Sequence, residues 1–143
     1  MKLINLLGYA GLVPFIALPL LYATPIWLGN SQVIALYNLY SALILGFMAG
    51  VLWPVIHASA ATPAKAERLA LAAVMFPVLS FVALLCAAEY FLPAQACLFV
   101  LLRFSEYRLG INRQYSVSYR SLRNQLTLVV LISHALLYYL ITL

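Results

Sequence analysis

Apolar residues gather into five long runs, separated by short breaks that are polar or carry proline and glycine. The runs extend roughly over Asn5 to Ala23, Ser31 to His57, Glu67 to Ala88, Pro93 to Leu109 and Arg120 to Thr142. An α-helix needs about 20 apolar residues to cross a bilayer core of about 30 Å, so each run reads as a transmembrane span. The second is long enough to tilt. Pro14 and Pro19 fall inside the first run and Pro77 inside the third. Neighbouring helices in a membrane bundle can satisfy the carbonyls that such prolines release. Thr62 followed by Pro63 is a favoured helix start before the third run, and Gly110 is a helix stop after the fourth.

All eight lysines and arginines lie at one set of span ends. Lys2 precedes the first span, Lys65 and Arg68 lie between the second and third, and Arg103, Arg108, Arg113, Arg120 and Arg123 surround the connection between the fourth and fifth. Basic loops stay on the cytoplasmic side, which predicts an N-terminus inside and a C-terminus outside. Aromatics agree: Tyr22, Trp27, Tyr90, Phe91, Tyr138 and Tyr139 fall at outer ends, and Trp53, Tyr107, Tyr115 and Tyr119 at inner ends. Lys2 and the run behind it resemble a signal peptide, but Ala23-Thr24-Pro25 is a poor cleavage site, so we read a retained first span.

Of the 143 residues, 66% are apolar and 8% charged, against about 25% charged in an ordinary soluble domain. The expectation is one all-α domain over residues 1–143, a polytopic membrane helix bundle. The net charge of +5 sits beside the membrane. Anionic headgroups of the cytoplasmic leaflet are therefore the expected partner, and nucleic acid is not. The only acids are Glu67, Glu89 and Glu106. That argues against chemistry built on paired carboxylates, and no phosphate-binding glycine loop is present. Five spans do not divide into two equal inverted halves, which argues against repeat-based transporter architecture.

Gly46 and Gly50, with Ala42 one turn earlier, form a small-residue stripe that lets helix backbones approach closely. It serves either a seam with a second protein or, the reading we favour, packing within the bundle. His134 lies well inside the fifth span, where an ionisable side chain is a functional candidate by default. Asn38, Ser41, Ser133, Gln95 and Glu89 fall at comparable depth or nearby. A polar pocket of Asn38, Ser41 and His134 would suit a quinone headgroup or a proton relay; a neutral histidine bonded between helices is the plainer reading. His57 lies near the inner end of its span, about 20 Å from the depth of His134 at 1.5 Å per residue, which excludes one haem ligated by both. Cys86 and Cys97 flank an outer turn and read as free packing cysteines. No zinc spacing is present, and no cofactor is expected. Arg103, Glu106, Arg120 and Arg123 occupy the most polar stretch and are candidates for lipid or partner contact. Arg103 and Glu106 stand three residues apart, a spacing that allows pairing on a helix.

Three stretches carry a family resemblance: Leu7-Gly8-Tyr9-Ala10-Gly11-Leu12-Val13-Pro14-Phe15, Phe47-Met48-Ala49-Gly50-Val51-Leu52-Trp53, and Tyr119-Arg120-Ser121-Leu122-Arg123-Asn124-Gln125-Leu126-Thr127. In this order and spacing the chain resembles a domain-of-unknown-function family of small bacterial inner-membrane proteins that has a mitochondrial transmembrane relative. The resemblance implies the same multi-span fold and no particular activity. It also implies a histidine before the Trp of the second span and a glycine after it, where this chain has Leu52 and Pro54.

With no nucleophile placed beside a base, an enzyme is not expected. The expected role is that of a non-catalytic accessory or assembly subunit of a larger bacterial inner-membrane complex, with other integral subunits as partners. The alternative is a small transporter or a quinone- or lipid-binding protein that uses the pocket near His134.

Overall fold

The computed structural model describes residues 2–54 and 62–143. His57, and with it one half of the haem argument, lies outside the described residues. Every regular element described is helical. In chain order these are α1 (Lys2–Ala10), α2 (Val13–Ala23), α3 (Asn30–Gly50), α4 (Pro63–Cys86), a 3-10 turn (Ala88–Tyr90), α5 (Phe91–Arg108), a second 3-10 turn (Ile111–Arg113) and α6 (Val117–Thr142).

Four stretches are long and apolar enough to cross a membrane: Lys2–Ala23, Asn30–Pro54, Pro63–Cys86 and Val117–Thr142. The remaining long helix, α5, has 18 residues and carries Arg103, Glu106 and Arg108 toward its C-terminal end, which sets it apart from those four.

The first apolar run is divided where a single helix was expected. Proline has no N–H and its ring crowds the preceding turn, so a helix tends to break just before it. Here α1 stops at Ala10, and α2 restarts at Val13 with Pro14 in its first turn. The carbonyl of Gly11 at the break accepts a 2.7 Å hydrogen bond from the Tyr40 hydroxyl of α3. Pro19 lies inside α2 and cannot donate to the carbonyl of Phe15, four residues earlier. Ser133 of α6 donates to that carbonyl instead.

The other ends follow local rules. Thr62 caps α4 by accepting from the backbone N–H of Lys65, with Pro63 beside it. Ser116 caps α6 by accepting from Tyr119, which starts that helix a turn earlier than Arg120. Gly110 ends the α5 region at φ +76°, in the left-handed region.

Packing joins α3 to α4, α2 to α3 and α6, and α5 to α4 and α6. Within the small-residue stripe, a Cβ on Gly46 would lie 3.6 Å from Pro77 of α4, whereas one on Gly50 meets nothing within 4 Å. Thus Gly46 faces an internal neighbour, and Ala42, like both glycines, is only partly buried. A closer approach occurs at Gly8 of α1, whose Cβ would stand 3.2 Å from the side chain of Leu122 on α6. The core combines Phe15, Tyr37, Leu45, Leu69, Phe99 and Leu137, while Phe47, Leu71, Phe81 and Leu85 face outward. Fully buried Ser41, Gln95 and Glu106 beside an apolar exterior make a fold suited to lipid as its solvent.

Gly110→Ala places a Cβ at positive φ, and we expect it to destabilise the fold by about 1 kcal/mol. A thermal unfolding scan in detergent checks this; an unchanged midpoint would remove the strain argument.

Candidate functional site

Two buried polar clusters and one hollow contain the polar candidates Asn38, Ser41, Arg103, Glu106, Arg120, Arg123 and His134. The first cluster lies at the end of the bundle where the basic residues gather. Glu106 of α5 is 0% exposed and Arg123 of α6 only 2%. Arg123 meets the carboxylate with two nitrogens: Nε donates to Oε2 at 3.1 Å and Nη2 to Oε1. Arg103, one turn before Glu106, donates to Oε2 through Nη1. Two parallel N–H bonds from one guanidinium are the strongest way to hold a carboxylate.

Further hydrogens of both guanidinium groups have acceptors, so that four of the five on each are engaged. Arg103 donates to Asn112 Oδ1 at 3.0 Å and to Asn124 Oδ1 at 3.2 Å. Arg123 donates to the Tyr119 hydroxyl at 3.3 Å and to the Met48 carbonyl at 3.4 Å. Its guanidinium also stands 5.5 Å from the Tyr115 ring centroid and 5.8 Å from that of Tyr119, over faces that attract cations. Burial pushes the Tyr115 phenol above its usual range, with Arg123 pulling it the other way. Arg120 turns back to the carbonyls of Asn112 and Tyr115, at 3.1 and 3.3 Å. Of the four residues proposed for lipid or partner contact, Glu106 and Arg123 are therefore inside the bundle. Arg103 and Arg120 are part-buried and engaged with the turn that joins α5 to α6.

The second cluster crosses the middle of the bundle around His134. Its Nδ1 lies 2.7 Å from the carbonyl of Val130, which can only accept, so Nδ1 donates. Nε2 then accepts from Ser41, 2.7 Å away on α3. Tyr37 lies 2.7 Å from Ser133 Oγ, which itself donates to the Phe15 carbonyl, so the Tyr37 hydroxyl donates to Ser133. Gln95 of α5 donates to the Ser41 carbonyl at 3.1 Å and accepts from Ser80 of α4 at 2.8 Å. A neutral histidine with its proton on Nδ1 satisfies the whole chain of bonds. Phe15, Tyr37 and Phe99 enclose the ring, with centroids 5.7, 5.0 and 5.6 Å away.

The structure thus joins Ser41, Ser133, Gln95 and His134, but Asn38 faces elsewhere. It lines a hollow of about 470 Å³ at the opposite end of the bundle, together with Glu89, Tyr90, Tyr138 and Thr142. Asn38 is 8% exposed, and its Oδ1 has no hydrogen-bond partner. Cys86 and Cys97 are unbonded and exposed on the bundle surface.

Several participants escaped the reading of the sequence: Tyr37, Ser80, Asn112, Tyr119 and Asn124. Tyr37 had a legible signal, since it stands one turn before Ser41 on the same helix face. Ser80 and Asn112 had none, because their partners lie on other elements. Among the described residues, no group of three or more histidine, cysteine or acidic side chains is placed to hold a metal ion.

Replacing Glu106 by Gln leaves buried cation without its counter-charge, a loss of about 3 kcal/mol or more in stability. A double-mutant cycle of Glu106→Gln with Arg123→Leu, followed by equilibrium unfolding in micelles, is expected to show coupling above about 1 kcal/mol. Additive effects would mean that the pair acts independently. His134→Ala removes the bonds to Val130 and Ser41 and opens a cavity, with an expected loss of about 2 kcal/mol in the same assay.

No curated protein and no solved structure matches this chain. A family model described as a protein of unknown function, DUF3429, matches residues 1–139. Because that match spans nearly all of the helical bundle, both polar clusters included, the chain belongs to the DUF3429 family.

Proposed function

We propose that this protein is a five-span component of a bacterial inner membrane, with its basic end in the cytoplasm and its C-terminus outside. The fifth span is α5. Its 18 residues extend roughly 27 Å at 1.5 Å per residue, close to the thickness of a bilayer core. Arg103 and Glu106 do not stand against its membrane placement, since both are engaged inside the bundle. The exposed Arg108 and Arg113 and the half-buried Lys65 lie where anionic headgroups of the cytoplasmic leaflet would meet them.

Within that membrane the protein acts as a non-catalytic accessory or assembly subunit. The observation that carries this reading is the mutual engagement of its polar groups. Both ring nitrogens of His134, both oxygens of Glu106 and the guanidinium groups of Arg103 and Arg123 are bonded inside the bundle. What the surface offers is apolar helix, including Leu43 and Phe47 beside the open side of Gly50. Such a face suits close packing with another membrane subunit.

A second reading, binding or transport of a lipid or quinone, is favoured by the hollow that Asn38 and Glu89 line. In this reading His134 supports the wall, and Asn38 faces the ligand.

Native mass spectrometry of the complex extracted with its lipid in nanodiscs separates the two. A stoichiometric protein partner is expected; recovery of the chain alone with a specific small molecule would favour the second reading. For topology, Leu143→Cys on a Cys86→Ser, Cys97→Ser background is expected to react with a membrane-impermeant maleimide on intact cells. Arg113→Cys on that background is expected to stay unlabelled, and the reverse pattern would invert the assignment.

A further inference from the structure

The start of the first apolar run differs from the other long stretches in how little of it is held. No residue of α1 is buried, whereas α2 directly behind it seats Phe15 and Pro19 in the core. Backbone continuity stops between the two. The Ala10 carbonyl would ordinarily accept from the residue four positions on, which is Pro14 and has no N–H. At the break Gly11 donates to Leu7 and Leu12 to Tyr9, which closes α1, and Ile16 donates to Leu12, which opens α2. Among the described residues, no backbone bond runs from α1 itself to α2. The far side of the break is fixed independently. The Tyr40 hydroxyl holds the Gly11 carbonyl at 2.7 Å, and Ser133 holds that of Phe15.

Among the described residues α1 packs chiefly on α6, and its grip lies near the break. A Cβ on Gly8 would stand 3.2 Å from Leu122. The Tyr9 hydroxyl donates to Gln125 Oε1 at 2.6 Å, the one side-chain hydrogen bond that α1 makes among those residues. Toward its tip α1 stands off. Ile4 and Asn5 form one wall of a hollow of about 300 Å³, and Gln114, Tyr115, Ser116 and Tyr119 form the other. Behind that second wall is the ion cluster: the Tyr119 hydroxyl accepts from Arg123, and the Tyr115 ring lies 5.5 Å from its guanidinium.

An apolar seam between helices is held weakly in lipid, because acyl chains replace the contacts that are lost. The nine residues of α1 extend roughly 14 Å at 1.5 Å per residue, about half of a bilayer core. It can swing within one leaflet with its helical bonds intact. We infer that α1 is a flap: it pivots at Gly11 and Leu12, lifts off α6 and opens the hollow, uncovering Tyr115 and Tyr119 and with them the edge of the ion cluster. Tyr9 is the latch, and Gly8 lets it close, since a larger residue there meets Leu122. This goes beyond the accessory-subunit reading and does not depend on which partner or ligand the protein has.

The test uses the full chain in nanodiscs on the Cys86→Ser, Cys97→Ser background. Nitroxides at Leu3→Cys on α1 and Leu128→Cys on α6, both exposed positions, report the flap by pulsed electron resonance. Ile16→Cys with Leu128→Cys reports α2 in the same way. The first pair is expected to show a longer distance beside the closed one, and the second pair a single distance. Tyr9→Phe removes the latch at an exposed site. It is expected to raise the ratio of open to closed about threefold, the worth of one interhelical hydrogen bond in a membrane. Hydroxyl-radical oxidation of Tyr115, read by mass spectrometry, is expected to rise with it. A single distance that Tyr9→Phe leaves unchanged overturns the flap. Two distances in the α2 pair overturn the pivot, since α2 would then move with α1. Oxidation of Tyr115 that stays constant while the open fraction grows overturns the gating of the hollow.

Discussion

A carboxylate with no exposure to solvent, held by two guanidinium groups, ties together the last two long helices of this bundle. Taking charges out of water is costly, and the mutual attraction of a buried pair offsets the cost only when the remaining hydrogen-bonding capacity is also met. Here Asn112, Asn124, Tyr119 and the Met48 carbonyl take all but one N–H of each guanidinium, so the cluster depends on α3, α5, α6 and the turn between the last two being in place together. That dependence makes the ion cluster a constraint on register: a slide of α6 by one residue would move Arg123 off Glu106. Apolar contacts between helices in lipid are far less selective, since lipid tails compete for them on nearly equal terms.

The same rule organises the middle of the bundle with neutral groups. Pro19 removes one backbone donor from α2, and the carbonyl it leaves at Phe15 becomes the anchor for Ser133. From there bonds run through Tyr37, and the His134 ring joins Val130 to Ser41 and onward to Gln95 and Ser80. The bonds touch α2, α3, α4, α5 and α6. The histidine that looked like the functional centre is instead an internal junction. Asn38 of α3, one turn before Ser41, takes no part in it and lines a separate hollow.

Much of the architecture was legible because it is written in local properties. Apolar length marked the four stretches able to cross a membrane, and Thr62-Pro63 marked the start of α4. Gly110 marked the stop after α5, where φ is positive. Other features misled for equally physical reasons. Pro14 read as lying inside a single span, yet the first run divides into α1 and α2 just before it, and Tyr40 takes the carbonyl of Gly11 at the break. Arg123 and Glu106 read as candidates for lipid or partner contact, because hydropathy cannot distinguish a charge facing headgroups from one facing another charge. The glycine stripe on α3 was only half informative: Gly46 meets Pro77, while the tight approach belongs to Gly8 and Leu122.

By itself the sequence determined which long stretches are helical, where α4 starts and the α5 region stops, and that every basic side chain shares one set of helix ends. These are one-dimensional properties, set by residues within a turn or two of each other. Only the tertiary structure decided which polar groups satisfy which. The partners lie far apart in the chain: Phe15 with Ser133, Ser41 with His134, Glu106 with Arg123. No local pattern encodes such pairings, since each depends on helix rotation and depth, which are settled by packing the whole bundle at once.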